Sequence, residues 1–237
     1  MRSFLQIFLF FFSFTAFTQN YIQLGADIDG EAADEEMGYS VSLSADGTIV
    51  AIGSPSNGNT RGHVRVYKYA NNSWTQLGND IDGEADNDNS GWSVSLSSDG
   101  TILAIGAYYN DGNGSNSGHV RVYKYANNSW TQIGNDIDGE ADNEYSGQSV
   151  SLSSDGTKVA IGAPRNSGNG SRSGHVRVYE FKSESLSYSH WNNNEPNNIN
   201  GENYTMLIGS HWNDITNTDG GQAKIYLLET NQLINSL

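Results

Sequence analysis

Cysteine is absent from this 237-residue chain, so no disulfide framework holds it together. Cations are scarce: 12 Lys and Arg stand against 27 Asp and Glu, a formal net charge of -15. Phosphate binding needs a basic patch, so this balance argues against a nucleic-acid partner. The charge suits a soluble, cation-attracting extracellular protein, and equally an ordinary solvated acidic surface. Beyond the N-terminus no apolar stretch is long enough to cross a bilayer. The residue order also offers no Ser/His/Asp set, no zinc-ligand spacing and no phosphate loop.

What is present begins with an export-type leader. Arg2 precedes an apolar run from Phe4-Leu5 to Phe14, and small or polar residues follow at Thr15, Ala16 and Thr18. Residues 1–18 therefore read as a signal peptide, too short to span a bilayer, with an uncleaved membrane anchor as the alternative. The mature protein is expected to be soluble, and secreted or held at the cell surface.

The middle of the chain repeats itself. Gly38-Tyr-Ser-Val-Ser-Leu-Ser-Ala-Asp-Gly-Thr48 recurs from Gly91 and from Gly147, steps of 53 and 56 residues. Ala51-Ile-Gly53 returns at Ala104 and Ala160, and Gly62-His-Val-Arg-Val-Tyr67 at Gly118 and Gly174. The extra residues of the second step fall in one Asn/Gly/Ser-rich loop, where a surface connection tolerates them.

Each unit reads as four strands. Tyr39, Val41 and Leu43 alternate with serines, the mark of a half-buried strand. Asp46-Gly47 is a hairpin signal, because both residues can take positive φ. Ile49 to Ile52 suits a strand buried on both faces, Val64 to Tyr67 a third strand and Trp74 to Leu77 a fourth. No helical periodicity interrupts them. Short antiparallel strands at this period point to propeller blades. The expected class is all-β: three four-stranded blades, as an open arc or partial propeller.

These repeats resemble the FG-GAP class of bacterial propeller repeats, related to those of integrin α chains. The resemblance rests on Gly-x-Ser-Val-x-Leu-Ser, Ala-Ile-Gly-(Ala/Ser) and Gly-His-Val-Arg-Val-Tyr. It implies repeats at about 38–90, 91–146 and 147–181 within a region of 19–181, preceded by an orphan fourth-type strand in 21–28. The calcium loop of integrin-type repeats has shrunk here to Ser-x-Asp-Gly-Thr and is not carried over. Asp-Ile-Asp-Gly-Glu at 27–31, 80–84 and 136–140 lacks the ligand alternation of a calcium loop and reads as a solvated connection. His63, His119 and His175 read as strand-surface residues. Trp74, Trp92 and Trp130 read as packing between strands or blades.

The stretch Trp191 to Asp214 carries the chemistry. Glu195, Asn197, Glu202, Asn213 and Asp214 bring carboxylate and amide oxygens together around Pro196 and Trp212, and such oxygens suit calcium. Glu-Pro-Asn, then Gly-Glu, then Trp-Asn-Asp resembles the long-loop half of a C-type lectin-like domain. The resemblance covers 182–229, a small β/loop segment, with 230–237 as a tail. It implies that the five residues ligate one calcium and bind a sugar through vicinal hydroxyls. Pro196 then sets the turn, and Trp212 supports the strand that presents the ligands. Glu-Pro-Asn further implies mannose-type sugars rather than galactose. His190 and His211 flank this loop and read as rim residues.

The expected function is therefore calcium-dependent carbohydrate recognition and adhesion on a propeller scaffold. A cell-surface protein is a second partner class. The alternative is a structural or protein-interaction repeat protein with a vestigial lectin-like tail. Propellers also host glycosidases, but those need a matched carboxylate pair in a cleft, so a non-catalytic role is expected. Three blades are too few to close a ring. A homodimer that exchanges strands would give six.

Overall fold

The computed structural model describes residues 20–182, together with the backbone of 224–227 and 232–236. The chain divides into two compact units, 1–181 and 182–237. The described part of the first is all-β apart from one short helical turn, Asn57–Thr60.

Blade 1 comprises β1 (Ser40–Leu43), β2 (Ile49–Ser54), β3 (His63–Ala70), β4 (Ser73–Gln76) and β5 (Ile81–Asp82). Blade 2 repeats this with β6 (Ser93–Leu96), β7 (Ile102–Ala107), β8 (His119–Ala126), β9 (Ser129–Gln132) and β10 (Ile137–Asp138). Blade 3 has β11 (Ser149–Leu152), β12 (Lys158–Ala163) and β13 (His175–Glu180). All pairs are antiparallel and follow chain order, except that β5 pairs with β3 and β10 with β8. In the second unit, β14 (Lys224–Leu227) and β15 (Gln232–Ser236) form a separate hairpin.

The outer edge differs from the four-strand expectation. β3 is long enough to take two partners in turn: β5 lies against His63 and Val64, and β4 against Tyr67 to Ala70. β4 and β5 thus act as one outer strand broken at Gly78, and β9 with β10 copy the arrangement on β8. The expected orphan strand in 21–28 does not form. Among the described residues no neighbouring strand supplies it with backbone partners, and Tyr21 and Ile22 stand exposed.

Turn chemistry follows residue type. β3 and β4 are joined by Asn71-Asn72, both at positive φ (50° and 61°), and β8 and β9 by Asn127-Asn128 in the same state. Asn tolerates that region, which gives the tight two-residue hairpin its twist. The Asp-Gly turn works differently from the expectation of two positive φ values. Only Gly47 is left-handed (φ 71°), and Asp46 acts as an acceptor instead. Its carboxylate takes the Thr48 amide at 2.9 Å and the Ser44 hydroxyl at 2.7 Å. Asp99 and Asp155 repeat this with Thr101 and Thr157.

The core lies between blades. Ala51, Val64 and Val66 of blade 1 pack on Val94, Leu96, Leu103 and Ile105 of blade 2. Ala104 and Val120 pack likewise on Val159 and Ile161 of blade 3. Burial of this kind, at about 25 cal/mol per Å² of apolar surface, is the main force joining the blades. Polar contacts fix the register. Ser40 Oγ donates to the Gly91 carbonyl and Ser93 Oγ to that of Gly147, while the Leu96 and Leu152 amides donate to Ser42 Oγ and Ser95 Oγ. Glycine is required at 53 and 106, where an added Cβ would strike the carbonyl oxygens of Gly91 and Gly147.

Candidate functional site

The most concentrated chemistry among the described residues recurs once per blade, where each third strand meets the preceding connector. His-Val-Arg places His63 and Arg65 on the same face of β3, since side chains two apart on a strand share a face. The connector 27–37 folds back over them. Arg65 Nη2 lies 2.7 Å from Glu31 and 3.0 Å from Asp80, and its Nη1 3.3 Å from Glu35. Glu35 Oε1 sits 3.1 Å from His63 Nε2, a close polar contact without hydrogen-bond alignment. The other oxygen of Glu35 accepts the amides of Glu31 and Ala32 at 2.7 and 3.0 Å.

Blade 2 repeats the pattern with altered partners. Arg121 donates to the Asp82 carbonyl at 2.8 Å and lies 3.6 Å from Glu84, while His119 Nδ1 is 3.8 Å from Glu84 and from Asp136. Asp88 stands in for Glu35, accepting from the Ala85 amide and from Asn110. In blade 3, Arg177 donates to the Asp138 carbonyl at 2.7 Å and pairs with Glu140 at 3.2 Å. There Glu144 accepts from the Glu140 amide and from Asn166.

Two sequence expectations are corrected here. His63 and His119 are not surface residues: only 2% and 1% of each is exposed, because the acidic connector closes over the strand. The Asp-Ile-Asp-Gly-Glu connectors are likewise not simply solvated. Each leads to a buried acid, Glu35, Asp88 or Glu144, that anchors the connector to the following blade.

The electrostatics fit struts rather than proton-transfer groups. Desolvation works against the Arg65 charge, but Asp80, Glu31 and Glu35 outweigh it and hold the guanidinium protonated. Burial raises Asp80 and Glu35, yet hydrogen bonds and the nearby Arg65 bring both below the usual carboxylate range. Burial, and then the charge of Arg121, push the His119 pKa down.

Among the described residues, two groups bring acidic and imidazole atoms close enough for one cation: Glu84, His119 and Asp136, and Glu140, Glu144 and His175. In each a guanidinium, Arg121 or Arg177, already approaches the carboxylates.

A second cluster went unread in the sequence. Trp92 stacks at 4.3 Å between Tyr39 of blade 1 and Tyr108 of its own blade. Tyr108 and Tyr109 both meet Tyr145 edge-on, and Arg165 lies 4.2 Å over the Tyr145 ring. Arg165 also donates to the Tyr145 hydroxyl at 3.0 Å. Burial keeps the Tyr108 phenol protonated by raising its pKa. The tryptophans expected to pack between blades do so: Trp130 donates to the Leu77 carbonyl at 2.8 Å.

Glu195, Asn197, Glu202, Asn213 and Asp214, with Pro196 and Trp212, lie outside the described residues.

Residues 81–123 and 136–179 match the family model described as FG-GAP repeat. Both matched stretches start on a connector and end on the third strand of a blade. No curated protein matches the chain. Among solved structures it is similar to hydrazine synthase from Kuenenia stuttgartiensis, with 14% identity over 65% of this chain and 36% of that one and a TM-score of 0.40. TolB from Acinetobacter baumannii matches at 18% identity over 62% and 30%, TM-score 0.37. The periplasmic gluconolactonase of Pseudomonas aeruginosa matches at 18% identity over 60% and 38%, TM-score 0.41. The chain spans 30% to 38% of the length of these solved proteins.

Proposed function

We propose that this chain is a secreted or cell-surface carbohydrate-binding and adhesion protein. The repeat unit serves as a rigid scaffold, and the segment Trp191 to Asp214 binds a sugar through calcium. One observation carries the reading. Glu195-Pro196-Asn197, Gly201-Glu202 and Trp212-Asn213-Asp214 follow one another in the order of a C-type lectin calcium loop. Five oxygen ligands, completed by two vicinal hydroxyls, give a coordination number that calcium accepts.

The repeats support a scaffold role in a different way. Their buried charges are spent on each other, as with Arg65 against Glu31, Glu35 and Asp80, so they tie connectors to strands. Such networks position a structure more than they stabilise it. A non-catalytic protein follows from this reading.

Retention on a mannose resin in calcium, with release by a chelator, is the expected behaviour. Equal retention in chelator, or none under either condition, contradicts it. The second reading is a protein-interaction repeat protein whose lectin-like tail binds no metal. The exposed apolar faces of blades 1 and 3 favour it, with Val41 at 63% and Val178 at 67% exposure.

A further inference from the structure

Those two faces are the unmatched halves of one interface. Blade 1 offers Val41 and Leu43, which are 63% and 59% exposed, while their counterparts Val94 and Leu96 are 9% and 7% exposed against blade 1. Blade 3 offers Val176 and Val178, which are 69% and 67% exposed, while their counterparts Val64 and Val66 are 0% and 1% exposed against blade 2. The residue types are the same and only the neighbouring blade differs.

The edge strands are complementary too. Among the described residues β13 has β12 as its sole partner, whereas β3 and β8 each carry an outer strand as well. Residues 21–31 have the sequence of that outer strand. Tyr21-Ile-Gln-Leu-Gly25 and Asp27-Ile-Asp-Gly-Glu31 correspond to Trp74-Thr-Gln-Leu-Gly78 and Asp80-Ile-Asp-Gly-Glu84. They are docked on blade 1 as the corresponding residues are docked on blade 2. Trp74 donates to the Leu24 carbonyl at 2.8 Å, as Trp130 does to that of Leu77. Glu31 pairs with Arg65 as Glu84 does with Arg121. Among the described residues, one end of the unit therefore presents an outer-strand sequence without a sheet, and the other a sheet without an outer strand.

We propose that a second copy of this chain occupies both ends, so that two chains close a six-bladed ring by exchanging their 21–31 segments. The internal repeats specify the contacts. Ile28 and Asp29 of one copy pair with Val176 and His175 of the other, as Ile81 and Asp82 pair with Val64 and His63. Gln23 lies opposite Tyr179, as Gln76 lies opposite Tyr67. Ser149 Oγ donates to the Gly38 carbonyl, as Ser40 and Ser93 do to Gly91 and Gly147. The Leu43 amide donates to Ser151 Oγ, as Leu96 and Leu152 do to Ser42 and Ser95.

The glycines agree. Gly38 and Gly47 have nothing within 4 Å of an added Cβ, whereas their counterparts Gly91 and Gly100 are tightly packed. Three blades cannot close alone, six lie within the range of known propellers, and an uncapped edge strand invites pairing. A head-to-tail contact used twice about a two-fold axis closes without leaving an end.

Light scattering of the purified chain tests this independently of any sugar binding. A monodisperse species of twice the chain mass is expected. A monodisperse monomer overturns the proposal. Open-ended polymers overturn the closed ring.

Val41→Lys and Val178→Lys sharpen the test, since both positions are exposed in one chain and tolerate charge without loss of fold. Each variant alone is expected to be monomeric with an unchanged circular dichroism spectrum. Mixed, they retain one intact interface and are expected to form a 1:1 pair. Two variants that stay dimeric when separate overturn the assigned faces.

Discussion

Trp74 donates its indole N–H to the carbonyl of Leu24 at 2.8 Å, the bond that Trp130 makes to Leu77 one blade later. The pair shows how neighbouring blades are keyed together at their outer edge, where apolar burial thins out. Each tryptophan reaches back to the segment that precedes its own blade, and a tilted tyrosine, Tyr69 or Tyr125, packs on its ring. Replacing Trp130 with Phe keeps most of the ring and removes the donor. A loss of about 1 kcal/mol in urea denaturation is expected, the usual net worth of such a bond. An unchanged midpoint would show that the bond carries nothing.

Leu103 is completely buried between blades 1 and 2. Leu103→Ala leaves a cavity that stiff strands cannot fill, and about 2–5 kcal/mol of stability should be lost. Denaturant unfolding of the purified variant measures it, and a loss below about 1 kcal/mol would mean that the blades are not packed as described.

Stability should depend on pH in two separate windows. His119 binds its proton more weakly in the fold than in the unfolded chain, because burial and then Arg121 oppose the charge, partly offset by Asp136, Glu84 and Asp88. As pH falls below the ordinary histidine value of 6.5, the unfolded state takes up the extra proton and stability drops. His119→Gln should flatten that part of the melting-temperature profile. Asp155 is held to about 2 by the Ser153 hydroxyl, the Thr157 amide and the Thr157 hydroxyl. Its contribution is complete above the ordinary value of 3.8 and disappears as pH falls through about 2. Asp155→Asn should remove that acid-side slope.

Much of the scaffold could be read from residue order. Tyr39, Val41 and Leu43 against alternating serines gave away a strand, and the recurring Ala-Ile-Gly and Gly-His-Val-Arg-Val-Tyr set the blade period. The buried acids could not be read this way. Glu35 sits in a polar connector that looks solvated, and only its return onto His63 and Arg65 of the next strand shows its role. The same non-local contact turned expected surface histidines into buried ones. The aromatic cluster was only half legible, since Tyr39 and Trp92 share one repeat position whereas Tyr108 and Tyr145 have no aromatic counterpart in the first repeat. The segment 21–28 has a strand's sequence but, among the described residues, no neighbour that makes it a strand.

In the proposed calcium site, the C-type lectin resemblance of Glu195-Pro196-Asn197 implies mannose-type sugars, with the Glu195 carboxylate accepting from the diol and the Asn197 amide donating to it. Mannose-type sugars should therefore lead on a glycan array, with galactose weak. Galactose preference with mannose-type sugars silent would sink this assignment.

Calcium titration of the purified chain by calorimetry tests the account most directly. One calcium per chain is expected, with mannose-type sugar binding only the calcium-loaded protein. Glu195→Gln combined with Asn213→Asp should abolish the sugar heat while leaving the β-sheet circular dichroism intact. Absence of calcium heat in the folded chain, or sugar binding that persists in chelator, would contradict the proposed function.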